Sequence, residues 1–229
     1  MAILTNLQTQ GMFKDVFVYG RSLSGALPTV ISPNELDDGA VVSGQHGHPA
    51  LKNPTYLHQT HPLLAALRAH DDLCVAALVL CPEPVEQSVK ELVSAHAARL
   101  CAGLGVDAAI VTKEGGGNAD ADVSLKMDRL EEEGIAAIGI FAEMAGRDGI
   151  GPSLVVPPSV VPPSRTSAMV SVGNYDERLS LPACERALGS DRLAQLDRPA
   201  TDALDLPAAA IYCALNPLGW GRLTCHELA

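Results

Sequence analysis

Between Leu73 and Ala142 the chain alternates three short apolar runs with two segments of helical period, and this pattern leaves few folds open. Leu73–Cys81, Val106–Thr112 and Ile135–Ala142 are continuous apolar runs of strand length, as expected for strands covered on both faces. After the first, Pro84 opens a helix in which Val85, Val89, Leu92, Val93, Leu100 and Leu104 recur at helical spacing and which closes near Gly103 and Gly105. After the second, Gly115-Gly116-Gly117-Asn118 breaks the strand, and Asn118 is suited to cap the next helix. Ala119, Val123, Met127 and Leu130 form that helix's apolar stripe, with Gly134 as its stop. The β-α-β-α-β order with short links predicts an α/β fold: three layers, a mostly parallel sheet and β-α-β crossovers.

The flanking regions extend this sheet. Ser167–Gly173 reads as a fourth strand, and Ala2–Leu7, Val16–Tyr19 and Thr29–Ser32 are strand-like. His61–His70 is helix-like, and Ser180–Pro207 reads as helical and polar. Ala208–Leu215 is a further apolar run, and Gly219-Trp220-Gly221 a turn carrying the single tryptophan. Residues 143–166 have no period, and Val155–Ser159 is echoed by Val160–Ser164, each with paired prolines that favour extended backbone. This Pro-rich loop is either a functional flap or a surface connection. The expectation is a single α/β domain over residues 1–229.

Composition narrows the functional classes. With 47% hydrophobic and 19% charged residues the chain is globular, and at this length it buries roughly 70% of its extended surface without disulfides or metal. The balance 16 − 27 = −11 repels phosphate backbones and anionic lipid heads, so neither nucleic acid nor a membrane surface is an expected partner. The apolar runs are too short to span a bilayer. Residues Met1 to Asn6 lack a basic region and a long apolar stretch, so no secretory signal is visible. The six cysteines form no CxxC motif, and Cys74, Cys81 and Cys101 sit in apolar runs where the thiol acts as a small hydrophobe. A reducing cytoplasm fits this usage.

Ligands of parallel α/β sheets gather beyond the carboxyl ends of the strands, and two segments there carry polar groups. Lys113 to Asp122 follows a strand and opens a helix, with Glu114, Asn118 and Asp120 as candidate contacts. It lacks the GxGxxG spacing and a Lys-Ser/Thr after the glycines, and its acids repel phosphate, so a nucleotide is not expected. Acidic capping of a first helical turn is the alternative use. The second segment, Ser43 to His61, holds Ser43, Asn53, Thr55 and Tyr56 and four of the seven histidines. His46, His48, His58 and His61 are a zinc or iron set if the two arms converge, though their spacing matches no established signature. Capping, loop hydrogen bonding or an oligomer contact are the alternatives. Arg147, after the third strand, can clamp a carboxylate or pair with Asp148. There is no GxSxG elbow and no HExxH.

Eight ordered blocks carry a resemblance: Leu7–Gly11, Asp15–Gly20, Pro28–Ser32, Asp38–Gly44, Lys52–Tyr56, Thr112–Asp122, Gly134–Gly139 and Ala145–Gly149. Together they resemble the component B proprotein subunit of the glycine, sarcosine and betaine reductases, to which a D-proline reductase subunit is related. The likeness covers roughly residues 7–175, with weaker matches at Gly173-Asn174 and Gly219–Thr224. In that family a cysteine lies between the Ser-Gly and Lys-Asn-Pro-Thr-Tyr blocks. Self-cleavage before it gives a pyruvoyl group that activates the substrate amine, and a thiol or selenol on a second subunit attacks the α-carbon.

Here the corresponding stretch, Gln45 to Leu51, contains no cysteine, serine or threonine, so no pyruvoyl group and no other cofactor is expected. The family's longer chain also has an N-terminal region, which is either absent here or a separate polypeptide. The resemblance implies a subunit of a heteromeric reductase acting at the α-carbon of a small amino-acid-like substrate, with a thiol- or selenol-bearing partner. His46, His48 and His58 would then be the catalytic groups, and Ser43, Asn53, Thr55, Tyr56, Glu114, Asn118, Asp120 and Arg147 would line the substrate pocket. A non-catalytic scaffold and a metal-dependent lyase or hydrolase built on the histidines are the alternatives.

Overall fold

The computed structural model describes residues 1–10, 14–44, 52–115, 117–142, 168–172, 178–183 and 203–207. Its centre is a six-stranded sheet built from β1 (Ala2–Gln8), β4 (Thr29–Ile31), β6 (Ala77–Glu83), β7 (Ala108–Thr112), β8 (Ala136–Ala142) and β9 (Ala168–Val172). The order is β4-β6-β1-β7-β8-β9, all parallel except the antiparallel edge strand β4. A second, antiparallel sheet joins β2 (Val16–Val18), β3 (Arg21–Ser22) and β5 (Val41–Ser43). The tight turn between β2 and β3 places Tyr19 and Gly20 at positive φ, which fits the right-handed twist of a hairpin and ends the expected Val16–Tyr19 strand one residue early.

The alternation of side chains along the strands builds two cores. Ala2, Leu4, Val79, Cys81, Ala109 and Val111 point to one face, where α4 (Gln87–Gly103) and α5 (Asn118–Glu132) cover them with Val93, Ala97, Cys101, Val123, Met127 and Leu130. Ile3, Leu7, Leu78, Leu80 and Ile110 point to the other, beneath the small sheet, α1 (Pro33–Asp37) and α3 (Pro62–Arg68). Each fully buried Val or Leu contributes about 1.5–3 kcal/mol. The expected three layers are present, with the second outer layer part helix and part sheet. Among the described residues no helix is long and apolar enough to cross a membrane.

Three expectations need correction. The first apolar run forms a strand only from Ala77 and continues to Glu83, because its length is set by β1: Ala2 pairs with Ala77 and Gln8 with Glu83. Leu73 and Cys74 are exposed, so Cys74 is not a core thiol. Pro82 is tolerated because β4, the other neighbour of β6, pairs no further than Leu80.

The second concerns α4. Its buried face is Lys90, Val93, Ser94, Ala97, Ala98 and Cys101, while Val89, Leu92 and Leu104 are exposed and Val85 precedes the helix. Small residues, not the large aliphatics, face the sheet, because α4 also packs closely against α5. Val85, Val89 and Leu92 instead wall a cleft of about 490 Å³ with Leu27, Pro82 and Pro84.

The third is Ser180–Pro207. Its ends are strands: β10 (Arg178–Leu181) pairs antiparallel with β11 (Leu204–Pro207). The middle of that segment, the 143–166 loop, Ala208–Leu215 and Gly219–Gly221 lie outside the described residues.

Candidate functional site

The strand order creates a crevice at the carboxyl ends of the sheet. The chain leaving β1 returns to β6 on one side, whereas the chain leaving β7 runs through α5 to β8 on the other. The two exits diverge between β1 and β7, a topological switch point of the kind where open α/β sheets hold ligands. Lys113 and Glu114 follow β7 there, and Gln8 ends β1.

Glu114 organises the crevice although it is only 1% exposed. Its Oε2 accepts from the Gln8 backbone N–H at 2.8 Å, and its Oε1 accepts from the Asn53 N–H at 2.8 Å. The ring of His58, on α2 (Thr55–Gln59), approaches Oε1 with Nε2 at 3.4 Å. This is a contact rather than a hydrogen bond, and among the described residues neither His58 ring nitrogen has a hydrogen-bond partner. The Asn53 Nδ2 and Ser43 Oγ atoms are likewise buried without one among the described residues. The Ser43 N–H donates to Thr55 Oγ1 at 3.0 Å, and that hydroxyl donates back to the Ser43 carbonyl at 3.3 Å, which ties β5 to α2. Glu114, His58 and Asn53 therefore meet, and Ser43 and Thr55 meet each other.

Other candidates have structural partners. Asp120 accepts from the N–H of Gly117, the residue that caps α5, at 3.1 Å and pairs with the Lys113 ammonium at 2.6 Å. Asn118 is the first residue of α5 rather than its cap, and its Oδ1 accepts from Gln10 Nε2 at 3.3 Å. Tyr56 is 58% exposed on the outer side of α2. His61 caps α3: its Nδ1 accepts from the Leu64 N–H at 3.4 Å. Burial, reinforced by His58, pushes the His61 imidazole down to about 3, so it is neutral across the physiological range. His46, His48 and Arg147 lie outside the described residues. Among the described residues no three His, Cys, Asp or Glu side chains are grouped to hold a metal ion. Burial pushes the Cys81 thiol up to about 12 and the Cys101 thiol to about 11, so both are held as unreactive thiols.

Behind the crevice lies a charged layer that sequence reasoning passes over. Lys90 pairs with Asp122, Lys126 lies 3.8 Å from the same carboxylate, and Glu83 is completely buried beside them. A hint was present in the sequence: Glu83 stands two residues past the apolar run that ends at Cys81, where a parallel sheet presents its carboxyl ends.

One glycine is sterically required. A Cβ on Gly44 would collide with the Asp15 carboxylate, which holds the buried Lys52 ammonium at 2.5 Å. Gly44→Ala is expected to displace Asp15 and cost about 1–3 kcal/mol, read as a lowered urea midpoint; an unchanged midpoint would mean that Asp15 swings clear at no cost.

Fold and site together define an open α/β protein with a buried polar cluster at its switch point. The chain belongs to the family described as glycine/sarcosine/betaine reductase component B subunits, whose sequence model matches residues 1–226. It is similar to the glycine reductase complex component B subunits alpha and beta of Peptoclostridium acidaminophilum, with 34% identity over 95% of this chain and 52% of the relative. It is also similar to the betaine reductase complex component B subunit alpha of the same organism, at 30% identity over 92% of this chain and 50% of the relative. The sarcosine reductase complex component B subunit alpha of that organism is 31% identical over 82% and 44%. The chain thus spans about half the length of the curated relatives it matches. No solved structure matches it.

Proposed function

We propose that this protein is a subunit of a heteromeric reductase complex that cleaves a polar bond at the α-carbon of a small amino-acid-like substrate. A partner subunit supplies the attacking thiol or selenol, and the reaction runs without a pyruvoyl group. The observation that carries the reading is the family match along residues 1–226 of a chain whose buried polar cluster occupies the crevice between β1 and β7. The stretch 45–51 has no cysteine, serine or threonine from which a pyruvoyl group could form, so those residues do not fit that group and no step passes through it. Cys81 and Cys101 are held as unreactive thiols, and the exposed Cys74 lies at the amino end of the sheet beside Met1, away from the crevice, which favours a nucleophile from elsewhere.

In this reading Glu114 orders the walls of the pocket through Gln8 and Asn53. His58, with both nitrogens free of hydrogen bonds among the described residues, is the group offered for receiving or delivering a proton. Asn53 and Ser43 offer an amide and a hydroxyl to the substrate's polar ends. His46 and His48 supply further acid–base groups in this reading, and Arg147 holds a substrate carboxylate.

Native mass spectrometry of the protein purified from its own host, with an intact mass under denaturing conditions, is the test. An uncleaved chain bound to a second subunit, without metal mass, is the expected result. A homo-oligomer carrying stoichiometric zinc or iron would overturn it. In the assembled complex His58→Ala and His46→Ala are each expected to lower turnover at least tenfold, about 1.4 kcal/mol of barrier, with the partner still bound. Unchanged turnover in both would reassign the chain as a scaffold.

A further inference from the structure

The carboxyl ends of the three central strands are bridged by a side chain that the proposed reaction does not use. Glu83 ends β6, beside Gln8 of β1, and its Oε1 accepts from the backbone N–H of Glu114 beyond β7 at 3.1 Å. That N–H is shared with the carbonyl of Asn6 in β1, also at 3.1 Å. Glu83 therefore reaches from one strand, past its neighbour, to the residue that organises the crevice. Its own backbone carbonyl accepts from the Thr9 hydroxyl at 3.1 Å.

Among the described residues the pairing of the buried lysines leaves Glu83 without a cation of its own. Lys52 pairs with Asp15, Lys113 with Asp120, and both Lys90 and Lys126 with Asp122. The charged groups that face Glu83 are Asp122 from α5 and Glu114 and Lys113 from the end of β7, and Lys90 of α4 is held by Asp122. Two of these are carboxylates, and the nearest cation is already matched. An ionised Glu83 would be a third carboxylate in an environment closed to water, which proteins avoid by keeping the proton. Burial first, then Asp122 and Glu114, push its carboxyl well above the ordinary value of 4.5.

We infer that Glu83 is a positioning residue of the crevice and works as a neutral carboxylic acid, bracing the Glu114 backbone from the far side of β1. The inference deepens the proposed reading of the site, and its test needs neither substrate nor partner. A neutral acid in the fold that ionises in the unfolded chain means that folding takes up a proton. The associated stability is complete below pH 4.5 and is lost as pH rises toward the raised folded value.

The experiment compares wild type, Glu83→Gln and Glu83→Ala by urea unfolding from pH 5 to 9, and follows the His58 ring signals by NMR. Glutamine copies the neutral acid and keeps an oxygen for the Glu114 N–H, so the state of Asp122 is unchanged. The unfolding constant of wild type relative to Glu83→Gln is expected to rise about tenfold per pH unit over that part of the range where only the folded carboxyl keeps its proton. The His58 signals are expected to move in Glu83→Ala and to return in Glu83→Gln, since His58 touches the side chain of Glu114, whose backbone Glu83 braces. If Glu83→Ala does not fold, the pH comparison with glutamine still decides.

A ratio that stays constant with pH overturns the neutral acid, and His58 signals that are the same in all folded forms overturn the bracing. Either failure leaves the proposed function standing. Loss of the heteromeric complex in the mass measurement would remove that function and leave this inference.

Discussion

Asp122→Ala is expected to lower folding stability by about 3–5 kcal/mol, a large share of what a domain of this kind possesses. Asp122 is completely buried in α5, and it is the carboxylate shared by the Lys90 and Lys126 ammonium groups, both also buried. Removing it leaves two cations in a region without water. Burial pushes the Asp122 carboxyl above its ordinary value more than Lys126 and Lys90 pull it down. Desolvation therefore outweighs attraction, as it often does for buried pairs. What the cluster contributes is a fixed relation between α4 and α5, the helices that cover the switch-point face. Accordingly, the triple variant Lys90→Met, Asp122→Leu, Lys126→Met is expected to recover most of the loss in urea unfolding. A single variant within 1 kcal/mol of wild type would show that the two lysines find other partners.

Acid is expected to unfold the protein through His61. In the fold this imidazole is neutral down to about pH 3, because it is buried and its Nδ1 must stay unprotonated to accept from the Leu64 N–H. In the unfolded chain it takes a proton near 6.5. Between those values the unfolded state binds more protons, so the stability present above pH 6.5 is lost as pH falls toward 3. The slope is about 1.4 kcal/mol per pH unit for this one group. His61→Asn keeps an oxygen to cap α3 but does not titrate. The difference between the two unfolding curves should vanish above pH 7 and grow steadily below 6. Parallel curves over that range would mean that His61 is solvated enough to titrate normally.

His61, together with Asp120, also shows why only part of the site could be read from the sequence. The segments 43–61 and 113–122 were legible because both carry polar residues where a parallel sheet presents its loops, and Glu114, His58 and Asn53 do meet. The division of labour among them was not legible. Asp120 and His61 look as fit for binding as Glu114 and His58, yet one holds Lys113 and Gly117 and the other caps a helix. Such roles depend on which donors end within about 3 Å, and that is set by how strands far apart in sequence are brought side by side.

Alternation of apolar runs with helical period, read from the sequence alone, determined the α/β class, the strands from β6 to β9 and the parallel crossovers, because burial on two faces of a sheet demands that pattern. The tertiary structure decided what the pattern leaves open. It inserted β1 between β6 and β7, which created the crevice and trimmed β6 to the length of its neighbour. It turned the small face of α4 inward, since close approach to α5 favours alanine, serine and cysteine over the larger aliphatics. Among the described residues it also buried four lysines, each against a carboxylate, and left Glu83 without a paired cation. Periodicity reports which side chains avoid water. Only the three-dimensional arrangement determines which charges, once buried, find one another.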